Sequence, residues 1–177
     1  MAQSKRKQEV SAGRPILQLG PGPGYRRYWP VPEVDERSPD IPGTYGLVGL
    51  VGAGTQARTQ LIALLTLYGR FKEVRVWSPP DGTKEAFVAE MKPKYGELTE
   101  IFAVESVQEA VEGADIVVTV TPSRRPLVMN EWVREGMHFN CIGADAPGKE
   151  ELDPEILRRA KIVIDDWEQA SHSGEIN

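Results

Sequence analysis

The chain contains 177 residues, of which 40% are hydrophobic and 27% charged, values typical of a soluble globular protein with one ordinary domain. Its formal net charge of −5 argues against a nucleic-acid or anionic membrane surface. No apolar run approaches the roughly 20 residues that a membrane helix needs. The single cysteine, Cys141, excludes an internal disulfide framework, and no apolar signal segment follows the N-terminal cations. We therefore expect a cytoplasmic protein.

Residues 1–43 differ in composition from the rest of the chain. Seven of the fourteen prolines lie in this part, which argues against a regular helix or a central strand. We expect an extended or disordered arm before a folded domain at 44–177. The alternative is an arm that docks on a partner through its aromatic side chains, Tyr25, Tyr28 and Trp29.

A glycine-rich turn joins the first predicted strand, 45–51, to the first predicted helix, 55–68. The turn has the G-x-G-x-x-A pattern of the dinucleotide fingerprint in its strand–turn–helix context. The glycines permit a tight turn and a close backbone approach, and the free N–H groups at the helix N-terminus suit a pyrophosphate. A glycine turn without a ligand is the alternative. The candidate cofactor-binding residues here are Gly52, Ala53, Gly54, Thr55, Gln56 and Ala57.

Short apolar runs alternate with helical patterns from residue 45 onwards. Five further strands are predicted, at 73–78, 100–104, 115–121, 137–143 and 161–165. A second helix is predicted at 83–91, and it should end before Pro93. Two further helices are predicted, one after the capping box at Ser106 and one after Asp153-Pro154. These elements predict an α/β fold, a Rossmann-type doubly wound parallel sheet of about six strands in the order 3-2-1-4-5-6. Ligands then bind at the carboxyl ends of the strands.

The loop after the second strand is expected to contact the adenosine ribose. Ser78 stands where an NAD enzyme usually has a carboxylate, and Thr83 and Lys84 follow closely. A hydroxyl and a cation favour NADP over NAD, because they suit a 2′-phosphate. Asp81 could oppose this preference, and Lys84 alone is read more simply as a solvated helix-face lysine.

Two more loops are expected along the same edge of the sheet. Small or hydroxyl residues after the fourth strand would line the nicotinamide side of the cofactor, unless they form an ordinary turn: Thr119, Thr121, Pro122 and Ser123. Arg124 and Arg125 could hold a substrate carboxylate, although solvated surface charges are the simpler reading. The loop after the fifth strand adds three candidate cofactor-binding residues, Ile142, Gly143 and Ala144, and Asp145 follows them.

Asp145 could deliver or take up a proton near the nicotinamide. The alternative is a turn aspartate that accepts backbone N–H bonds. The two histidines, His138 and His172, have no further ligand at metal-binding spacing, so no metal site is predicted.

Several segments resemble the ornithine cyclodeaminase/mu-crystallin family, in particular its archaeal alanine dehydrogenases. They are 52–58, 113–117, 121–123, 142–149, 151–153 and 165–177. The resemblance implies a domain that binds NAD or NADP. It also implies hydride transfer at the α-carbon of an amino or imino acid, with Asp145 as the catalytic acid/base.

The chain also departs from this family. Members are nearly twice as long and carry a substrate and dimerisation domain, which residues 1–43 do not resemble. We expect a truncated form with a cofactor domain and little activity of its own. The alternative is a stand-alone dinucleotide-binding module or sensor that completes its site with a partner chain or a second copy.

Overall fold

A computed structural model describes residues 16–19 and 44–176. The strands are β1 (Ile16–Leu19), β2 (Thr44–Val51), β3 (Arg70–Trp77), β4 (Glu100–Ala103), β5 (Ile116–Thr119), β6 (Arg124–Val128), β7 (His138–Cys141), β8 (Glu150–Leu152) and β9 (Lys161–Ile164). The helices are α1 (Thr55–Tyr68), α2 (Thr83–Tyr95), α3 (Val107–Val111), α4 (Pro154–Arg159) and α5 (Trp167–His172), and a 3-10 turn covers Asn130–Trp132. None of these helices is long and apolar enough to cross a membrane.

Seven of these strands form one parallel sheet in the order β4-β3-β2-β5-β7-β1-β9. The six predicted strands correspond to β2, β3, β4, β5, β7 and β9, with ends that shift by a few residues. Their predicted order is confirmed from β4 to β7. The predicted contact between the fifth and sixth strands is wrong, because β1 lies between β7 and β9.

Strand β1 corrects the expectation that residues 1–43 contain no central strand. Its four residues, Ile16–Leu19, are free of proline and pair in parallel with both β7 and β9. In the sequence, Pro15 and Pro21 both lie outside these four residues, so proline does not interrupt the strand. The aromatic residues of the docking-arm alternative, at positions 25, 28 and 29, lie outside the described residues.

Helices cover both faces of the sheet and bury a separate core on each. Consecutive residues of β2 point to opposite faces. Leu50 joins the cluster under α1 and α2, which includes Leu61 and Phe87. Val51 joins the other cluster, which includes Ile156 of α4. The sheet is therefore doubly wound, as predicted.

Several smaller elements differ from the predictions. Helix α2 continues through Pro93 to Tyr95, past its predicted end. Proline removes the bond to the carbonyl of Ala89, but Ala89 is exposed, so water can satisfy that oxygen. Strands β6 and β8 form a second, two-stranded parallel sheet that was not predicted, nor was α5.

Candidate functional site

The turn after β2 requires a glycine at position 52. Gly52 has a φ of +113°, a conformation that favours glycine. Its N–H donates to the carbonyl of Trp77 at 2.8 Å, which ties the turn to the end of β3. A Cβ at this position would lie 2.9 Å from the carbonyl oxygen of Val120. The chain therefore passes closely between its two neighbouring strands here.

Gly54 fulfils a different requirement at the start of α1. Its φ is −79°, and a Cβ built on it would meet no atom within 4 Å, so open space lies beside it. No side chain caps α1, and its first turn contains no acidic residue. Thr55 and Gln56 are exposed, whereas Ala57 is fully buried against the sheet. This open, uncapped helix N-terminus fits a pyrophosphate, because its N–H groups and dipole favour an anion.

Arg58 holds the glycine turn in shape, a role that the sequence analysis missed. Its Nη1 donates to the carbonyls of Ala53 at 2.8 Å and Gly54 at 3.1 Å. Its Nε pairs with Glu90 at 2.7 Å, and the guanidinium lies 5.2 Å from the ring centroid of Phe87. The only sequence signal was its position directly after the fingerprint.

The loop after β3 carries one exposed carboxylate. The Ser78 side chain is almost fully buried, and its hydroxyl donates to the carbonyl of Pro79 at 3.2 Å. Asp81 is exposed, and its Oδ1 accepts from the N–H of Thr83 at 2.9 Å. Hydrogen bonding from Thr83 lowers the pKa of Asp81. Asp81 is therefore a carboxylate at neutral pH.

Lys84 is not a solvated lysine, and that reading of the sequence is wrong. The residue is only 3% exposed. Its Nζ donates to the carbonyl of Val104 at 2.8 Å and pairs with Glu105 at 3.0 Å. Because two acceptors already hold the ammonium at the end of β4, a phosphate would have to compete with them.

The loop after β5 begins beneath the surface and then emerges. Thr119 is fully buried and Thr121 is nearly so, whereas Pro122 is exposed. The Oγ1 of Thr121 accepts from the N–H of Ser123 at 3.2 Å. The chain therefore stays close to the end of the sheet up to Thr121 and reaches the surface at Pro122.

The two arginines that follow belong to strand β6. Arg124 and Arg125 are both exposed, as the surface-charge reading expects. Arg124 donates to the carbonyl of Pro147 at 3.3 Å and so joins the start of β6 to the loop after β7.

The loop after β7 brings Asp145 to the same edge of the sheet. The N–H groups of Ile142 and Gly143 both donate to the carbonyl of Thr119, at 2.9 and 3.1 Å. Ala144 is buried, and Asp145 is exposed. Since β2, β5 and β7 are adjacent and parallel, this loop stands beside the loop after β5 and one strand from the glycine turn.

Lys149 stabilises the ionised form of Asp145. Its ammonium forms an ion pair with Oδ1 of Asp145, four residues earlier in the same loop. Hydrogen bonding from Lys149 lowers the pKa of the Asp145 carboxyl. Asp145 is therefore ionised at neutral pH, and the ion pair makes its carboxylate a weaker base than an unpaired one. Within the described ranges, no group of three or more His, Cys, Asp or Glu side chains could hold a metal ion.

The sheet order, the glycine turn and the open N-terminus of α1 define a Rossmann-type domain. Comparison with known protein families then identifies the family within this fold class. The ornithine cyclodeaminase/mu-crystallin family matches residues 45–177, and the chain belongs to that family. The match begins after β1, so that strand lies outside it.

Individual relatives agree with this assignment. The alanine dehydrogenase of Archaeoglobus fulgidus is 50% identical over 131 residues, which cover 73% of this chain and 38% of that one. A solved archaeal alanine dehydrogenase dimer with bound NAD superposes with a TM-score of 0.68 at 45% identity, covering 75% of this chain and 39% of that one. The Thermococcus litoralis Δ1-pyrroline-2-carboxylate reductase, solved in complex with NADH and L-proline, superposes with a TM-score of 0.67 at 37% identity. The superposition covers 72% of this chain and 39% of the reductase. The chain thus spans about two fifths of the length of these relatives.

Proposed function

We propose that the chain binds a nicotinamide dinucleotide along the carboxyl edge of its sheet. The observation that carries this proposal is the uncapped N-terminus of α1 with open space at Gly54, where a pyrophosphate fits. The adenosine ribose would face the loop from Ser78 to Lys84. The nicotinamide end would face the residues after β5 and β7, namely Thr119, Thr121, Pro122, Ser123, Ile142, Gly143 and Ala144.

We propose that the chemistry at this edge is hydride transfer at the α-carbon of an amino or imino acid. A bound nicotinamide supplies the acceptor or donor of the hydride. Asp145 is the catalytic acid/base in this proposal: its carboxylate takes up the proton released on oxidation and returns it on reduction. Its exposed position in the loop after β7 supports this assignment, whereas the ion pair with Lys149 lowers the pKa of the carboxyl and so must loosen before the carboxylate takes up a proton.

The substrate side of the site needs groups from outside the described residues. A substrate carboxylate needs a cation, and Lys149, the cation in contact with Asp145, is already paired with it. The chain covers only 38% to 39% of its relatives, so a large part of a complete site can come from outside it. We therefore infer that residues 44–176 bind dinucleotide but turn over little substrate without a complementing domain.

A second candidate function follows from the extent of the match. The chain covers 38% to 39% of its relatives, so a module that completes its site with a partner chain or a second copy is consistent with the same geometry. Turnover of alanine or a cyclic imine only in the presence of a second protein would favour this module.

The central experiment is fluorescence titration of the purified chain with NADH, using Gly54→Ala as the test variant. The added methyl group meets nothing in the free protein but enters the space proposed for the pyrophosphate. We expect unchanged thermal stability and an affinity reduced about tenfold or more. Thr59→Ala, one turn further along α1, is the matched control and should bind as the wild type does. No NADH binding by the wild type, or equal binding by Gly54→Ala, would reject the proposed site.

For the ribose we propose a preference for NADP, supported by the neutral Ser78 at the end of β3. Lys84 adds little support, because its ammonium is held by Val104 and Glu105. The exposed carboxylate of Asp81 would repel a 2′-phosphate. Asp81→Asn should therefore raise the affinity for NADPH relative to NADH. A wild-type chain that binds NADH more tightly than NADPH would overturn the preference while leaving dinucleotide binding intact.

A further inference from the structure

Two buried glutamates lie directly beneath the proposed nicotinamide end of the site. Glu151, in β8, is completely inaccessible to solvent, and Glu175, which follows α5, is 6% exposed. Burial of a carboxylate is costly unless hydrogen bonds compensate for the lost water. The partners of these two side chains therefore indicate what they do.

Glu151 connects the loops that follow two neighbouring strands of the sheet. Its Oε1 accepts from the backbone N–H of Thr121 at 2.6 Å, just after β5. Its Oε2 accepts from the N–H of Gly143 at 3.1 Å, just after β7. Hydrogen bonds to a carboxylate are roughly twice as strong as neutral ones, so one side chain holds both loops at a set separation.

The backbone of Gly143 packs tightly against Thr121 and the Glu151 carboxylate. A Cβ on Gly143 would lie 2.3 Å from the carbonyl oxygen of Thr121 and 2.5 Å from Oε2 of Glu151. Real side chains do not approach so closely, so position 143 requires glycine. The two loops and the carboxylate therefore form one closely packed unit.

Glu175 holds β8 in place behind Glu151. Its Oε1 accepts from the N–H of Glu151 at 2.9 Å, and its Oε2 accepts from the N–H of Leu152 at 3.1 Å. The segment after α5 is thereby joined through β8 to the loops after β5 and β7. Neither glutamate is among the residues expected to contact the cofactor.

We propose that Glu151 is a positioning residue that sets the distance between the β5 and β7 loops for the nicotinamide half of the dinucleotide. Glu175 supports it by holding the backbone of β8. The inference rests on the proposed function. It assigns no role to Glu151 at the adenosine half, because the glycine turn and the loop after β3 make no hydrogen bond with its side chain.

Two ligands separate positioning from general stability. NADH occupies both halves of the proposed site, whereas ADP-ribose lacks the nicotinamide. In Glu151→Gln an amide N–H₂ replaces one acceptor oxygen and faces a backbone N–H. We expect about a tenfold loss of NADH affinity, with ADP-ribose affinity changed less than about twofold. Glu150→Gln, the neighbouring residue in β8, is the control and should match the wild type for both ligands.

The outcomes distinguish this inference from the proposed function. A wild-type chain that binds neither ligand would reject the proposed function itself. If the wild type binds NADH, equal losses of both ligands in Glu151→Gln, or no loss, would overturn the positioning role and leave dinucleotide binding standing. Equal wild-type affinities for the two ligands would overturn it too. Should Glu151→Gln fail to fold, Glu175→Gln is judged by the same two affinities: a selective loss of NADH supports the inference, and an equal loss rejects it.

Discussion

Two glycines of the same motif are required for different physical reasons. Gly52 is needed by the fold, because its φ is positive and a Cβ would approach Val120. The fold places no such requirement on Gly54, because its φ is ordinary and its surroundings are open, so glycine there would be required only by the proposed ligand. A sequence pattern cannot distinguish these two cases, because the residue is glycine in both.

This difference predicts that only one of two alanine substitutions destabilises the fold. Gly52→Ala should lower the free energy of unfolding by about 2 kcal/mol or more, through backbone strain and the close contact with Val120. Gly54→Ala should leave it unchanged within about 0.5 kcal/mol. Urea denaturation of both variants measures the difference, and equal losses would contradict the assignment of Gly52 to the fold.

The buried carboxyl of Glu175 predicts a pH-dependent stability. Burial raises its pKa from the ordinary 4.5 to about 7, and the charges of Glu151 and Glu150 add to the rise. Burial raises the pKa of Glu151 as well. Between these pH values the Glu175 carboxyl binds more protons in the folded than in the unfolded chain, so its contribution to the free energy of unfolding should fall as pH rises from about 4.5 to 7. Burial lowers the pKa of His138 from 6.5 to about 4, and this group acts in the opposite direction over much of the same range.

The size of this effect follows from the shift at Glu175. We expect the stability of the wild type relative to Glu175→Gln to decrease by about 1–3 kcal/mol across that window. Chemical denaturation at pH 5, 6, 7 and 8 measures it, and Glu168→Gln, at an exposed position, serves as the control. A stability difference between the wild type and Glu175→Gln that stays constant over this window would show that Glu175 ionises as an ordinary carboxylate does.

Helix α4 shows how one capping residue can join two elements. Asp153 caps α4 by accepting from the N–H of Glu155 at 2.9 Å, as the Asp-Pro pair predicts. Its other carboxylate oxygen accepts from the N–H of Asn130 at 3.3 Å, which links α4 to the 3-10 turn. The second contact joins residues 23 positions apart in the sequence, so no local sequence pattern predicts it.

Asp153→Ala should therefore cost about 1–2 kcal/mol of folding stability, because the cap and the link are lost together. Asp153→Asn retains an oxygen for the cap and should cost less. Guanidinium denaturation of the two variants tests this order. Equal costs would mean that the charge of Asp153, rather than its cap, stabilises α4.

Strand β1 determines whether β9 has a neighbour in the sheet. In the described sheet, β9 lies at the edge and pairs with β1 alone. Gln18→Pro removes one N–H from β1 and should disturb both of its ladders. We expect faster amide hydrogen exchange across β9, with β3 and β4 on the far side unchanged as an internal reference. Unchanged exchange in β9 would show that β1 does not protect it.

The sequence alone determined the six-strand pattern, the bounds of α1 and the glycine turn, because these depend on local periodicity and on backbone conformations that few residues adopt. Helix α1 begins and ends between Gly54 and Gly69, as predicted. The tertiary structure alone decided the place of β1 and the partners of Lys84, Glu151 and Glu175. Charged residues read from sequence as exposed, and their burial depends on hydrogen-bond partners from distant segments, such as Val104 for Lys84 and Thr121 for Glu151. Such pairs exist only once the sheet has brought its strand ends together.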